Sequence, residues 1–60
     1  MLKADADLVS SGYEHFYNLE YDKALTLFRE AAAKQPDDPD LHNHIAETLL
    51  FREMFREFAA

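Results

Sequence analysis

The chain of sixty residues contains no cysteine, one glycine and two prolines. Without cysteine, disulfides and thiolate metal sites are excluded, although many domains of this size depend on them. A single glycine leaves no glycine-rich loop that could cradle a phosphate. The scarcity of helix breakers, beside abundant alanine, leucine, glutamate and phenylalanine, predicts an all-α fold.

Clusters of basic residues and long apolar runs are also missing. Six Lys and Arg stand against twelve Asp and Glu, which gives a net charge of -6. Because nucleic acids and anionic membranes attract basic surfaces, we expect neither as a partner. No apolar run approaches the roughly 18 residues of a membrane span. The opening "MLKADADL" has acids where a secretion signal is basic and then apolar. We therefore expect a cytoplasmic protein.

The composition does favour a folded chain, with 48% hydrophobic and 13% aromatic residues. Its length predicts a single domain over residues 1–60. At this size the free energy from apolar burial roughly balances the entropy of ordering the chain. Dense helix packing, self-association, or a site built from His15, His42, His44 and carboxylates therefore has to supply additional stability.

Capping residues and prolines divide the chain into three helices. Asp5 or Asp7 can cap the first, and Pro36 ends the second because proline cannot continue a helix. Asp38 as N-cap and Pro39 at the first helical position begin the third. The short connections imply antiparallel neighbours. The prediction is an antiparallel hairpin followed by a longer helix, with helices at about residues 6–18, 21–34 and 39–58.

Residues 5–38 carry a pattern of small and large side chains, and its most specific part falls in "YDKALTLFREAAAKQPDDPD". This pattern resembles the tetratricopeptide repeat, a helix–turn–helix unit of about 34 residues. The resemblance implies an α-solenoid fragment: one full repeat and then the first helix of the next. It also implies a protein–protein interaction module without enzymatic activity or cofactor. The matching positions are Leu8, Gly12, Tyr21, Ala24, Phe28, Ala31 and Pro36.

The chain departs from the family pattern at several positions. Leu19 stands in the turn where the family has glycine, and Phe58 stands where a small alanine would let two helices cross. Nothing in "LLFREMFREFAA" breaks a helix. We therefore predict one continuous third helix over residues 39–58 and no second hairpin.

Two apolar stripes run along this third helix. The first should pack on the hairpin, and the second should point to the opposite side, where nothing in the chain is long enough to cover it. We expect a second copy of the chain to bury it in a homo-oligomer, with the simplest form a symmetric dimer. The alternative is that a bend lets the stripe cap the hairpin. The first stripe is Leu41, Ile45, Ala46, Leu49 and Leu50; the second, the self-association stripe, is Phe51, Met54, Phe55 and Phe58.

The resemblance also implies a peptide groove lined by the first helices of successive repeats. The family's clamp for a terminal carboxylate is absent, because Val9 and Tyr13 occupy the places of its Lys and Asn. The expected ligand is a peptide or protein segment with apolar anchors and basic residues. A designed or excised repeat unit without any ligand remains the alternative. The groove residues are Val9, Tyr13, Phe16, Tyr17, Asp40, Asn43, His44 and Glu47.

The string "HNHIAE" looks like a metal or catalytic motif. On a helix, His42 and His44 lie about 200° apart and cannot hold one ion. His44 and Glu47 have the spacing of a helical ligand pair, and a metal-dependent site there is the rival interpretation. We expect no metal and no catalysis. We expect His42 to pack inward against the second helix.

Overall fold

The computed structural model describes residues 3–59, and the surroundings of side chains for residues 6–57. The described chain forms three helices and no strand: α1 (Lys3–Tyr17), α2 (Tyr21–Lys34) and α3 (Pro39–Ala59). The prediction of an all-α fold, a helical hairpin followed by a longer third helix, is confirmed. The 21 residues of α3 extend it by about 10 Å beyond the length of α2.

The bounds of α2 agree with the prediction, but the predicted start of α1 was wrong. The helix begins at Lys3, so Asp5 and Asp7 lie inside it instead of capping it. No residue between Lys3 and Asp7 breaks a helix, and negative charge near a helix N-terminus is favourable. The helix therefore continues upstream through both candidate caps.

The core is centred on α2, which packs against both other helices. Gly12 is buried where α1 crosses α2, and a Cβ placed on it would lie 2.6 Å from Cε1 of Phe28. A side chain at this position would therefore collide with the central ring of the core. Gly12 therefore lets α1 and α2 approach each other closely. The side chains of α2 that are buried are Tyr21, Ala24, Leu25, Phe28 and Ala31.

The turn between α1 and α2 is a Schellman motif with an unusual residue at its centre. The N–H of Glu20 donates to the carbonyl of His15 at 2.8 Å, and the N–H of Leu19 donates to that of Phe16 at 3.1 Å. Leu19 adopts φ 64°, the left-handed conformation that this motif requires. Glycine normally occupies this position because it has no Cβ to crowd the backbone. Leu19 therefore occupies the backbone position that glycine usually holds in this motif.

The inward face of α3 differs from the predicted one by about one residue position around the helix. Leu41 and Thr48 are fully buried, whereas Ala46 and Leu50, predicted to pack on the hairpin, are exposed. The prediction for Ala46 and Leu50 was wrong because it followed apolar residues alone, whereas the inward face also includes the polar Thr48. Thr48 can be buried because its hydroxyl donates to the carbonyl of His44 at 2.6 Å.

This rotation brings the self-association stripe next to the inward face instead of opposite to it. The ring centroids of Phe51 and Phe16 lie 5.5 Å apart, and those of Phe55 and Tyr21 lie 6.1 Å apart. The expectation that nothing in the chain contacts this stripe was therefore wrong for Phe51 and Phe55. No bend is needed, because one uninterrupted α3 carries both rings to the hairpin.

Candidate interaction surfaces

Two of the residues predicted to line a groove meet between α1 and α3, where Tyr13 contacts His44. The Tyr13 Oη lies 2.6 Å from Nε2 and 2.9 Å from Nδ1 of His44, and the two rings meet at 71° with centroids 4.9 Å apart. Both rings also contact Phe28, at 5.5 Å and 5.6 Å between centroids. One hydrogen bond and three ring contacts thus join all three helices at this point.

A second ring contact fixes the register of the groove. Phe16 lies one turn beyond Tyr13 on α1, and it meets Phe51, two turns beyond His44 on α3. The two helices therefore run in the same direction along the groove. Glu47 lies between His44 and Phe51 on this face of α3, at spacings of three and four residues. Its exposed carboxylate is close enough to raise the pKa of the Tyr13 phenol.

Tyr17 continues the aromatic wall of α1. Its ring stacks on Tyr13 with centroids 6.1 Å apart and an interplanar angle of 21°, and it meets the edge of Phe16 at 5.8 Å. Tyr17 is nevertheless 75% exposed. One ring of the groove therefore has most of its surface open to solvent.

Burial raises the pKa of the Tyr13 phenol, and the charges of Glu47, Tyr17 and Asp40 raise it further in that order. The negative groups disfavour a phenolate at Tyr13 by repulsion. Asp40 and Glu47 thus act on the same hydroxyl from one turn on either side of His44. At this contact the α1 side carries the aromatic rings, and the α3 side carries the acids Asp40 and Glu47.

The remaining predicted groove residues lie at its margins. Val9 is half-buried on α1, while Asp40 and Asn43 are exposed on α3. The prediction that His42 packs inward was wrong. It is exposed, and its Nε2 lies 2.7 Å from the carbonyl oxygen of Pro36, as expected for a side chain that ties the helix start to the preceding loop. The inward histidine is His44.

The rival metal site at His44 and Glu47 has few ligands. Among the residues that the structure describes, no group of three or more His, Cys, Asp or Glu side chains could hold a metal ion. Both ring nitrogens of His44 lie within hydrogen-bonding distance of Tyr13. The geometry of His44 is accounted for by its packing against α1.

A second surface is the exposed apolar patch on the C-terminal half of α3, which we call the α3 patch. It comprises Leu50, 59% exposed, Phe51 at 41%, Met54 at 42% and Phe55 at 45%. Three of these residues belong to the predicted self-association stripe, and Leu50 was missed because it was assigned to the core. The side chain of Phe58, the fourth predicted residue, lies outside those described.

Charges of both signs border the α3 patch. Arg52 donates to Asp22 Oδ1 on α2 at 3.0 Å, and Arg56 forms an ion pair with Glu53 at 3.4 Å. The Nε of Arg52 is buried without a hydrogen-bond partner in the described structure. Phe55 and the two arginines also line a shallow cavity of about 220 Å³ beside the start of α2. The patch is thus apolar with a mixed-charge border.

An ion pair near the first turn was not foreseen in the sequence. The His15 Nδ1 lies 2.9 Å from Oε1 of Glu20, and the Lys23 Nζ lies 3.1 Å from its Oε2. Hydrogen bonds from His15 and then Lys23 lower the pKa of the Glu20 carboxyl. The two partners lie on different helices, so the contact depends on the shape of the turn. Periodicity within one helix could not indicate it.

Comparison with protein-family models, with curated proteins and with solved structures finds no match. Within residues 3–59, no helix is long and apolar enough to cross a membrane. The functional interpretation therefore rests on the groove and the α3 patch themselves.

Proposed function

We propose that the chain is a non-enzymatic protein–protein interaction module of the tetratricopeptide-repeat type, and that it associates with a second copy through the α3 patch. The observation that carries the proposal is the concentration of four large, substantially exposed apolar side chains within six residues of one helix. Contiguous apolar surface of this kind is typical of interaction sites.

The repeat assignment is supported by the packing of the hairpin. Gly12 lies against Phe28 at the crossing of α1 and α2, and Pro36 follows the end of α2. Leu19 provides the left-handed turn residue for which the family uses glycine. This packing of the hairpin supports the proposal of a repeat-like unit.

A second copy is favoured as the partner by the border of the α3 patch. Arg52 and Arg56 alternate with Glu53 and Glu57 around the apolar residues. A surface with both signs can pair with itself, as a two-fold symmetric interface requires. The small core gives a further reason, because a domain of this length gains little free energy from its own burial.

The test is the mass in solution over a dilution series from about 1 mM to about 1 μM, the range for weak interfaces of limited area. The unmodified chain should exceed 7.0 kDa at high concentration and approach that mass on dilution. Leu50→Glu should remain monomeric, because a carboxylate would be buried at the interface. Leu50 suits this test better than Phe55, whose ring also contacts Tyr21.

The matched control is Ala33→Glu, which adds the same charge at an exposed position of α2. It should associate like the unmodified chain. A mass of 7.0 kDa for the unmodified chain throughout the series would refute the proposal. Equal loss of association in both variants would also refute it, because net charge would then be the cause.

A further inference from the structure

We propose that Met54 is an oxidation site through which a peroxide regulates self-association, because methionine sulfoxide at this position opposes burial of the α3 patch. The inference rests on the proposed association of two copies and adds a means of regulating that same interface. It assigns a reversible chemical modification to one side chain of the patch.

Met54 carries the only sulfur atom among the residues that the structure describes. The sequence contains no cysteine and two methionines, and Met1 lies outside the described residues. The sequence also contains no tryptophan, so a dilute peroxide meets neither a thiol nor an indole. Met54 is 42% exposed, which leaves its thioether accessible to a small oxidant in the monomer. Within the described chain, oxidation is therefore directed to this position.

Met54 lies in the middle of the α3 patch. Leu50 and Phe51 precede it by four and three residues, so both lie on the same helix face one turn away. The rings of Phe51 and Phe55 each contact another aromatic ring of the hairpin. Around the helix, Met54 comes between Leu50 and these two rings. A second copy that covers the patch therefore covers this side chain as well.

The modification transfers one oxygen atom from the peroxide to Sδ of Met54. A sulfur lone pair forms the S–O bond while the O–O bond breaks, so the thioether is oxidised by two electrons and hydrogen peroxide is reduced to water. The product is polar, and the side chains of Leu50, Phe51 and Phe55 offer no hydrogen-bond donor to its oxygen. Burying a polar group without a partner is unfavourable, so oxidation should weaken association about ten- to a hundredfold.

The test treats the full chain with hydrogen peroxide and locates the added oxygen by mass spectrometry. The mass in solution is then measured over the dilution series from about 1 mM to about 1 μM. The oxidised chain should dissociate at about ten- to a hundredfold higher concentration than the unmodified chain. A methionine sulfoxide reductase should restore association, because it removes the oxygen as water while a dithiol is oxidised to a disulfide. Met54→Gln, polar but favourable in a helix, should weaken association without peroxide.

The matched control is Met54→Leu, which keeps the apolar volume and has no sulfur. It should associate like the unmodified chain both before and after peroxide, which separates the effect from oxidation at Met1. The proposal is overturned by unchanged association of the chain oxidised at Met54, by absence of oxygen at Met54, or by equal dissociation of the treated Met54→Leu chain. A mass of 7.0 kDa throughout the series before oxidation refutes the proposed function, and this inference with it, so the two failures are distinguishable.

Discussion

Replacing Gly12 by alanine should destabilise the chain, although alanine is the better helix former. At an exposed helical position this substitution stabilises by about 1 kcal/mol. Gly12, however, lies under the ring of Phe28, where an added Cβ would be 2.6 Å from Cε1, 2.9 Å from Cδ1 and 3.1 Å from Cζ. Carbon atoms in favourable contact are about 3.5–4.0 Å apart. The new methyl group would therefore overlap one edge of the ring.

The size of the effect depends on whether the ring can move. Phe28 is fully buried and is held between Tyr13 and His44, so any shift disturbs the contact between α1 and α3. Forcing an extra methyl group into a packed core costs about 1–3 kcal/mol. The short contact distances place the cost of the clash near the upper end of this range. After the gain in helix propensity is subtracted, the free energy of unfolding should fall by about 1–2 kcal/mol. The melting temperature should fall by about 5–15 °C.

Thermal and urea unfolding followed by circular dichroism, at one fixed protein concentration, would measure this effect. Ser10→Ala, at an exposed position of α1, is the control and should stabilise by a few tenths of a kcal/mol. In a Phe28→Leu background, which lacks the ring edge, Gly12→Ala should become neutral or stabilising. If Gly12→Ala stabilises the unmodified chain as Ser10→Ala does, the reasoning about the close crossing is wrong.

Two further substitutions test the turn and the groove. Leu19→Gly should raise the free energy of unfolding by about 0.5–1 kcal/mol, because it relieves the left-handed strain at some cost in chain entropy. Leu19→Ala keeps the Cβ and should not stabilise in urea unfolding, and equal effects of the two would contradict the assigned strain. The raised pKa of Tyr13 means that its neutral form stabilises the fold below about pH 10, and that this contribution is lost as the pH rises through the raised pKa. Tyr13→Phe should therefore lose stability less steeply in melts between about pH 9 and pH 11, and an unchanged slope would refute this role of the phenol.

The sequence alone was sufficient for the number and order of the helices and for the bounds of α2. Pro36, Asp38 and Pro39 mark the break between α2 and α3 by backbone chemistry that is local to the chain. The buried residues of α2 recur at helical spacing, and Ala32 beside them is half-buried. The face of α2 could be predicted because alanine, leucine and phenylalanine recur there at helical spacing.

The rotation of α3 could not be predicted in the same way. Its inward face includes His44 and the buried Thr48. A prediction from apolar residues alone therefore places Leu50 on the inward face, where it does not lie. Thr48 is acceptable in the core only because the carbonyl of His44 accepts its hydrogen bond. This hydrogen bond forms only in the folded helix, so the hydrophobic pattern of the sequence does not indicate it.

The contacts between α1 and α3 could not be predicted from local sequence patterns, for a related reason. The resemblance placed Tyr13 and His44 on facing helices, but their hydrogen bond joins residues 31 positions apart. Its register is set by how α1 and α3 each pack on α2. No motif within α1 or α3 specifies that relation.

The central position of α2 has a consequence for how the chain folds. Helices that are adjacent in sequence are adjacent in space, so most stability comes from two successive interfaces, α1 with α2 and α2 with α3. Such local topology is associated with folding in microseconds to milliseconds. It would also allow α3 to detach while the hairpin stays formed, were it not for the rings that connect α1 directly to α3. The contacts Tyr13–His44 and Phe16–Phe51 thus couple the two interfaces and should make the loss of three helices one cooperative event.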